Sequence, residues 1–156
     1  MLKELIIMFP DVIVIVLLHW VADFIVQTRW QGNNKSKSLK ALLSHTTTYS
    51  LCFLLLFPLL GTKTLGFVLI TWMLHTLTDY FTSRATAHCW KEIMHSKDRI
   101  KSLTEAQIEL DQPYRYKDWI DKHTKHAARN EGWFWGIIGF DQALHYIQLI
   151  LTYNFL

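Results

Sequence analysis

Two cysteines, Cys52 and Cys89, are all the thiol that this 156-residue chain has. One falls in an apolar run and the other beside a basic stretch, so neither a disulfide framework nor a cysteine-based zinc site is suggested. The six glycines never gather with serine into a flexible linker, and no internal repeat or low-complexity tract divides the chain. Its length suits one domain. The N-terminal apolar block lacks the small-residue cleavage site of a signal peptide, and Asp11 and Asp23 do not suit such a segment. No small-xxx-small pattern marks a helix interface, although helices in lipid expose surface enough for a homo-oligomer.

Apolar residues are abundant: 51% of the chain is hydrophobic and 14% aromatic, gathered into blocks that no ordinary soluble globule needs. Four blocks, at about 11–28, 39–60, 64–83 and 133–155, reach the roughly 17–25 residues of a spanning helix. The fold expected is all-α and polytopic, a single membrane domain made of a bundle of four transmembrane helices. Of the 16 Lys and Arg residues, only Lys3 and Lys63 lie outside two stretches: the first connection (Arg29, Lys35, Lys37, Lys40) and the segment from Arg84 to Arg129. Cytoplasmic connections collect such residues. Both stretches are therefore expected inside and both termini outside, in the inner (cytoplasmic) membrane of a bacterium. The basic balance reads as topology and argues against a nucleic-acid partner. Trp30, Trp133 and Trp135 fall at block edges, where an interfacial aromatic belt forms.

The hydrophilic segment at about 86–131 reads as a cytoplasmic helical insert. It continues the third span through Trp90–Lys97, becomes amphipathic near Ile100–Leu110, turns at Asp111–Gln112–Pro113 and resumes as a helix near Trp119–Ala128. Its few apolar residues are too sparse for a separate core, so it is expected to cap the bundle at the membrane face. His123 and His126 have a ligand-like spacing but sit among Lys122, Lys125 and Arg129, which reads as a solvated helix face. His88 and His95 read as an exposed or interfacial one.

Seven ionisable residues interrupt the apolar blocks: His19, Asp23, His45, His75, Asp79, Asp141 and His145. At membrane depth such groups cost about 2.5–3.5 kcal/mol each on insertion scales, so they face a protein interior and mark a functional site. Six of them form three His/Asp pairs four residues apart, which puts both members on one helix face. At about 1.5 Å per residue, all seven fall roughly 7–18 Å from the cytoplasmic edge, although chain direction alternates. Imidazole and carboxylate are ligands of zinc, manganese or iron, and bundles build such divalent transition-metal centres from inward-facing side chains. Gln27, which continues the His19–Asp23 face, and Gln142 are candidates to orient a ligand or bind substrate. Lys35, in Asn34–Lys35–Ser36–Lys37, is a candidate for lipid headgroup phosphate, against its reading as an ordinary positive-inside residue.

Three functions use these residues differently. In a metal-dependent hydrolase of a lipid or lipid-linked substrate, Asp23 or Asp141 is the candidate general base and the rest are ligands. In a proton or cation transporter they form a relay, which the apolar outer halves do not continue. In a non-catalytic module, His and Asp satisfy one another and hold helices in register while the basic segment recruits a partner.

The run His19-Trp-Val-Ala-Asp23-Phe-Ile-Val-Gln27, followed by Asn34-Lys35, Leu42-Leu43-Ser-His45, His75-xxx-Asp79 and Gly139-Phe-Asp141-Gln142-xx-His145, resembles the small bacterial and phage membrane proteins called domain of unknown function 3307. The similarity spans nearly the whole chain. It implies a multipass membrane protein without naming an activity, and the long hydrophilic insert departs from it. His75-xxx-Asp79 with His45 is also similar, over a much shorter stretch, to bacterial membrane-bound metal-dependent hydrolases, which implies a hydrolytic direction.

Overall fold

The computed structural model describes residues 2–110 and 114–156, and they are helical almost throughout. In order they form α1 (Leu2–Trp20), a π-helical turn (Val21–Ile25), α2 (Arg29–Asn34), α3 (Leu39–Cys52), a 3₁₀ turn (Phe53–Leu56), α4 (Phe57–Leu60), α5 (Lys63–Glu109) and α6 (Lys117–Phe155). The turn expected at Asp111–Gln112–Pro113 lies outside the described residues.

Local chemistry sets the short elements. Thr28 caps α2 through a reciprocal pair: Gln31 N–H donates to Thr28 Oγ1 at 3.2 Å, and Thr28 N–H donates to Gln31 Oε1 at 2.8 Å, which satisfies two of the free donors at a helix start. Ser38 accepts from Ala41 N–H at the start of α3. Gly61 turns the chain between α4 and α5 at φ +56°, a left-handed conformation that only glycine adopts freely.

The described residues divide into two compact units, one made of residues 1–83 with 141–156 and the other of residues 84–140. The first is inverted relative to a water-soluble globule. Its fully buried set includes His19, His45, His75, Asp79 and His145 as well as Ile15, Phe53, Leu56 and Phe67, while Leu17, Leu55, Leu65, Leu69, Leu77 and Phe81 are exposed. Ile15, Tyr49, Phe53, Leu56, Phe67 and Leu149 form one continuous apolar cluster. Buried positions 45, 46, 49, 53 and 56 follow a helical repeat, which is why α3 and the 3₁₀ turn after it present one inward face.

The second unit pairs the later part of α5 with the early part of α6. Cys89, Ile93, Ser96 and Ala127 are buried in it, the rings of Trp90 and Phe134 lie 5.7 Å apart, and Lys97 meets Glu131 at 3.4 Å. The helical run expected near Trp119–Ala128 is no separate piece. It continues into the block that begins near Trp133, with no proline to break the ladder.

One expectation is corrected. The chain is all-α, but among the described residues only Leu39–Leu60 is a helical stretch long and apolar enough to cross a membrane, so the bundle of four transmembrane helices is overturned. The physical reason lies in the polar residues themselves. His75 and Asp79 with Thr76 and Thr78 dilute the third block, and Asp141, Gln142, His145 and Gln148 dilute the fourth.

Candidate metal centre

The first unit gathers the interrupting polar residues from four stretches of chain. His19 comes from the end of α1, Asp23 from the π turn, His45 from α3, His75 and Asp79 from α5, and Asp141 and His145 from α6. All are buried except Asp141, whose side chain is 13% exposed.

His45 Nε2 stands at the middle. It is 3.2 Å from His75 Nε2, 3.2 Å from Asp23 Oδ1 and 3.3 Å from Asp79 Oδ2. His75 Nε2 is 4.0 Å from Asp23 Oδ1 and 3.7 Å from Asp79 Oδ2. Zinc bound tetrahedrally at about 2.0–2.2 Å by nitrogen and oxygen holds its ligands about 3.3–3.6 Å apart. The five measured separations bracket that edge. His19 with Asp23 and His145, and His75 with Asp79 and His145, form two further sets whose donor atoms all lie within 4.8 Å of one another. These buried His and Asp groups can hold a metal ion.

Charge and hydrogen bonding agree with that capacity. Asp23, Asp79 and Asp141 face one ammonium, Lys35, whose Nζ lies 2.8 Å from Asp79 Oδ2, so with neutral imidazoles the cluster keeps an excess of negative charge. Burial would pull the Lys35 pKa down, but Asp79 and Asp23 outweigh it and hold the ammonium charged, its pKa raised. His145 Nδ1 and Nε2, His45 Nδ1 and His75 Nδ1 are buried without a hydrogen-bond partner; such groups are costly unless a ligand satisfies them.

Neighbouring side chains orient the centre. Gln142 Nε2 donates to Asp23 Oδ2 at 3.0 Å and to Asp141 Oδ2 at 3.2 Å, while its Oε1 accepts from His19 Nε2 at 2.9 Å. That assignment puts the His19 proton on Nε2, so His19 Nδ1 accepts from the Tyr49 hydroxyl at 2.7 Å. Thr82 donates to Asp141 Oδ1 at 2.6 Å. Tyr49 also stacks on His75, with centroids 3.7 Å apart and planes 8° from parallel. Gln27 makes no hydrogen bond to the cluster; its Oε1 is buried without a partner and its amide lies against Gly32. Lys35, a candidate for lipid headgroup phosphate, turns inward to Asp79, with its Nζ 2.8 Å from Oδ2.

Tyr49 and Thr82 were not legible as site residues. Tyr49 lies four residues after His45, so the helical repeat that paired His with Asp was the signal that finds it. The space beside His75 and His145, lined by Tyr49, Thr71, Leu74, Gln148 and Leu149, is too narrow for a water molecule. Access to the cluster is left to the side where Asp141 and Lys35 are partly exposed. No protein-family model, curated protein or solved structure matches the chain.

Proposed function

We propose that the protein is a divalent-metal-dependent hydrolase acting on an ester or phosphoester of a lipid or lipid-linked substrate. The observation that carries this reading is the set of Asp23, His45 and His75 donor atoms, all within 4.8 Å of one another, with the Asp79 carboxylate 3.3 Å from His45. Zinc suits two imidazoles and a carboxylate with a fourth position left to water, with manganese or iron the other candidates. A divalent ion there supplies Lewis acidity and a water acidified to near neutrality.

The surrounding residues then have separable tasks. Asp141, held by Thr82 and Gln142 at the partly exposed side, is the general base that accepts the proton of the attacking water. Gln142 holds Asp23 and His19 in fixed orientation, and Lys35 offers an ammonium to the negative charge that develops on the substrate. The exposed apolar side chains of the first unit, among them Leu17, Leu55, Leu65 and Leu77, suit a lipid environment, in which a lipid substrate arrives from the side. Cation passage is disfavoured because Tyr49, which stacks on His75, packs edge-on against Phe53, and Phe53 at a tilt against Phe67, at 5.2 and 5.5 Å between rings, all three fully buried.

The test is elemental analysis of protein purified without chelators, followed by assay of phospholipid ester cleavage. One tightly held divalent transition metal per chain is expected, lost in Asp79→Asn, together with metal-dependent release of fatty acid or phosphorylated headgroup that Asp141→Asn abolishes. Absence of stoichiometric metal, or proton flux in proteoliposomes that Asp79→Asn removes, overturns the reading.

A further inference from the structure

The second unit carries a polar site that the metal centre does not use. A groove of about 440 Å³ runs between α5 and α6, lined by His95 and Ser96 on one helix and by Lys122, His123, Lys125 and Arg129 on the other. His126 completes the lining, and no Asp or Glu belongs to it. Positions 122, 125, 126 and 129 share one face of α6 at spacings of three, four and seven residues. Like charges so arranged repel and weaken the helix unless an anion lies between them.

Two details make this more than a solvated basic face. Ser96 is 1% exposed, and its hydroxyl is buried without a hydrogen-bond partner, leaving a donor at the groove wall. His126 is held as a relay: Arg129 donates to its Nδ1 at 3.4 Å, and its Nε2 donates to Glu92 Oε2 at 3.3 Å.

We propose that this groove binds a phosphoryl group, either as free phosphate or a soluble phosphomonoester, or as the headgroup of an anionic phospholipid. Phosphoryl oxygens accept the several donors that Lys122, Lys125, Arg129 and Ser96 supply, and the planar guanidinium binds two of them at once. The volume exceeds one phosphate and leaves room for the group that carries it.

Full-length protein in a nonionic detergent is titrated calorimetrically with inorganic phosphate, with glycerol phosphate, and with mixed micelles of phosphatidic acid or of phosphatidylcholine alone. Saturable binding is expected for phosphatidic acid micelles and not for phosphatidylcholine. Competition by glycerol phosphate assigns a soluble source, and its absence a lipid headgroup; either outcome supports the site. Lys125→Gln with Arg129→Gln should weaken binding at least tenfold, and Ser96→Ala about tenfold, as the loss of one hydrogen bond to a charged group implies. The control pair Lys101→Gln with Lys117→Gln, both exposed outside the groove, should leave it unchanged. Equal loss in the control pair, or no saturation by any probe while the variants keep their helical circular dichroism, overturns the proposal. None of the substituted residues belongs to the His and Asp cluster, so the metal content is expected to be the same in every variant and this test is separate from that of the metal centre.

Discussion

Lys35 Nζ lies 2.8 Å from Asp79 Oδ2, with the Asp79 carboxylate 1% exposed. An ammonium therefore occupies one face of an oxygen that also stands 3.3 Å from His45. A metal ion that takes Asp79 as ligand competes with Lys35 for it.

Removal of that competitor has opposite effects with and without metal. Lys35→Met takes the ammonium from a buried carboxylate that keeps His45, His75 and His145 beside it, so the cost falls below the about 3–5 kcal/mol of an unpaired buried charge, the more so because the lysine side chain is 19% exposed. Divalent zinc should restore more stability to the variant than it adds to the parent protein, by thermal melting in the same detergent. Equal stabilisation of both sinks the competition. The pH dependence follows from the raised Lys35 pKa. Its contribution is fully present below the ordinary lysine value of 10.5 and fades only as pH rises through the higher folded value, so the gap between parent and variant should stay flat from neutrality to about pH 10.

His75→Phe separates packing from ligation. The ring keeps its stack on Tyr49, 3.7 Å away, and loses Nε2. His75 Nδ1 has no hydrogen-bond partner, but Nε2 stands 3.2 Å from His45 Nε2, so the exchange should cost about 1–3 kcal/mol in folding. Metal content measured by mass spectrometry should fall below a tenth of the parent value while the variant stays folded at the assay temperature. Full retention of metal would remove His75 from the ligand set.

Tyr49→Phe removes the hydroxyl that donates to His19 Nδ1 at 2.7 Å and leaves that nitrogen buried without a partner. The cost should be about 1–3 kcal/mol, read by denaturant titration, with the His75 stack unaffected. A double variant, Tyr49→Phe with His19→Phe, should recover most of the loss, because both polar partners are then gone.

Thr28→Ala tests how a helix of six residues delivers Lys35. Loss of the reciprocal cap at Thr28 and Gln31 costs about 1 kcal/mol, and the Gln31 amide should exchange its hydrogen faster. Unchanged exchange would mean that α2 is held by Gln31 reaching Ser44 and not by its cap.

Much of the first unit is legible in the sequence because four-residue spacing is a property of a single helix. His19 with Asp23, His75 with Asp79 and Asp141 with His145 show themselves without any knowledge of packing. Lys35 is a candidate from the sequence, but its contact with Asp79 is not legible, since its direction depends on the turn between two helices, although the Thr28-xx-Gln31 cap that fixes this turn was written in the chain. Tyr49 was hidden by being apolar enough to pass for core. The count of spanning helices failed for a related reason: the residues that make the site also lower the apolar character of the helices that carry it, and block length alone does not register that loss.

The π turn at Val21–Ile25, closed by the Val26 N–H bond to Val21 at 2.9 Å, makes the first helix intolerant of length change. Each residue of an α-helix advances by about 100°. Deletion of Val21 or Ala22, the turn residues that lie between His19 and Asp23, would regularise the hydrogen bonds and yet rotate His19 by roughly that angle relative to Asp23. With two residues left between them in place of three, His19 would stay beside Gln142 only at the expense of Asp23, so that a single-codon deletion is expected to be as damaging here as loss of a ligand.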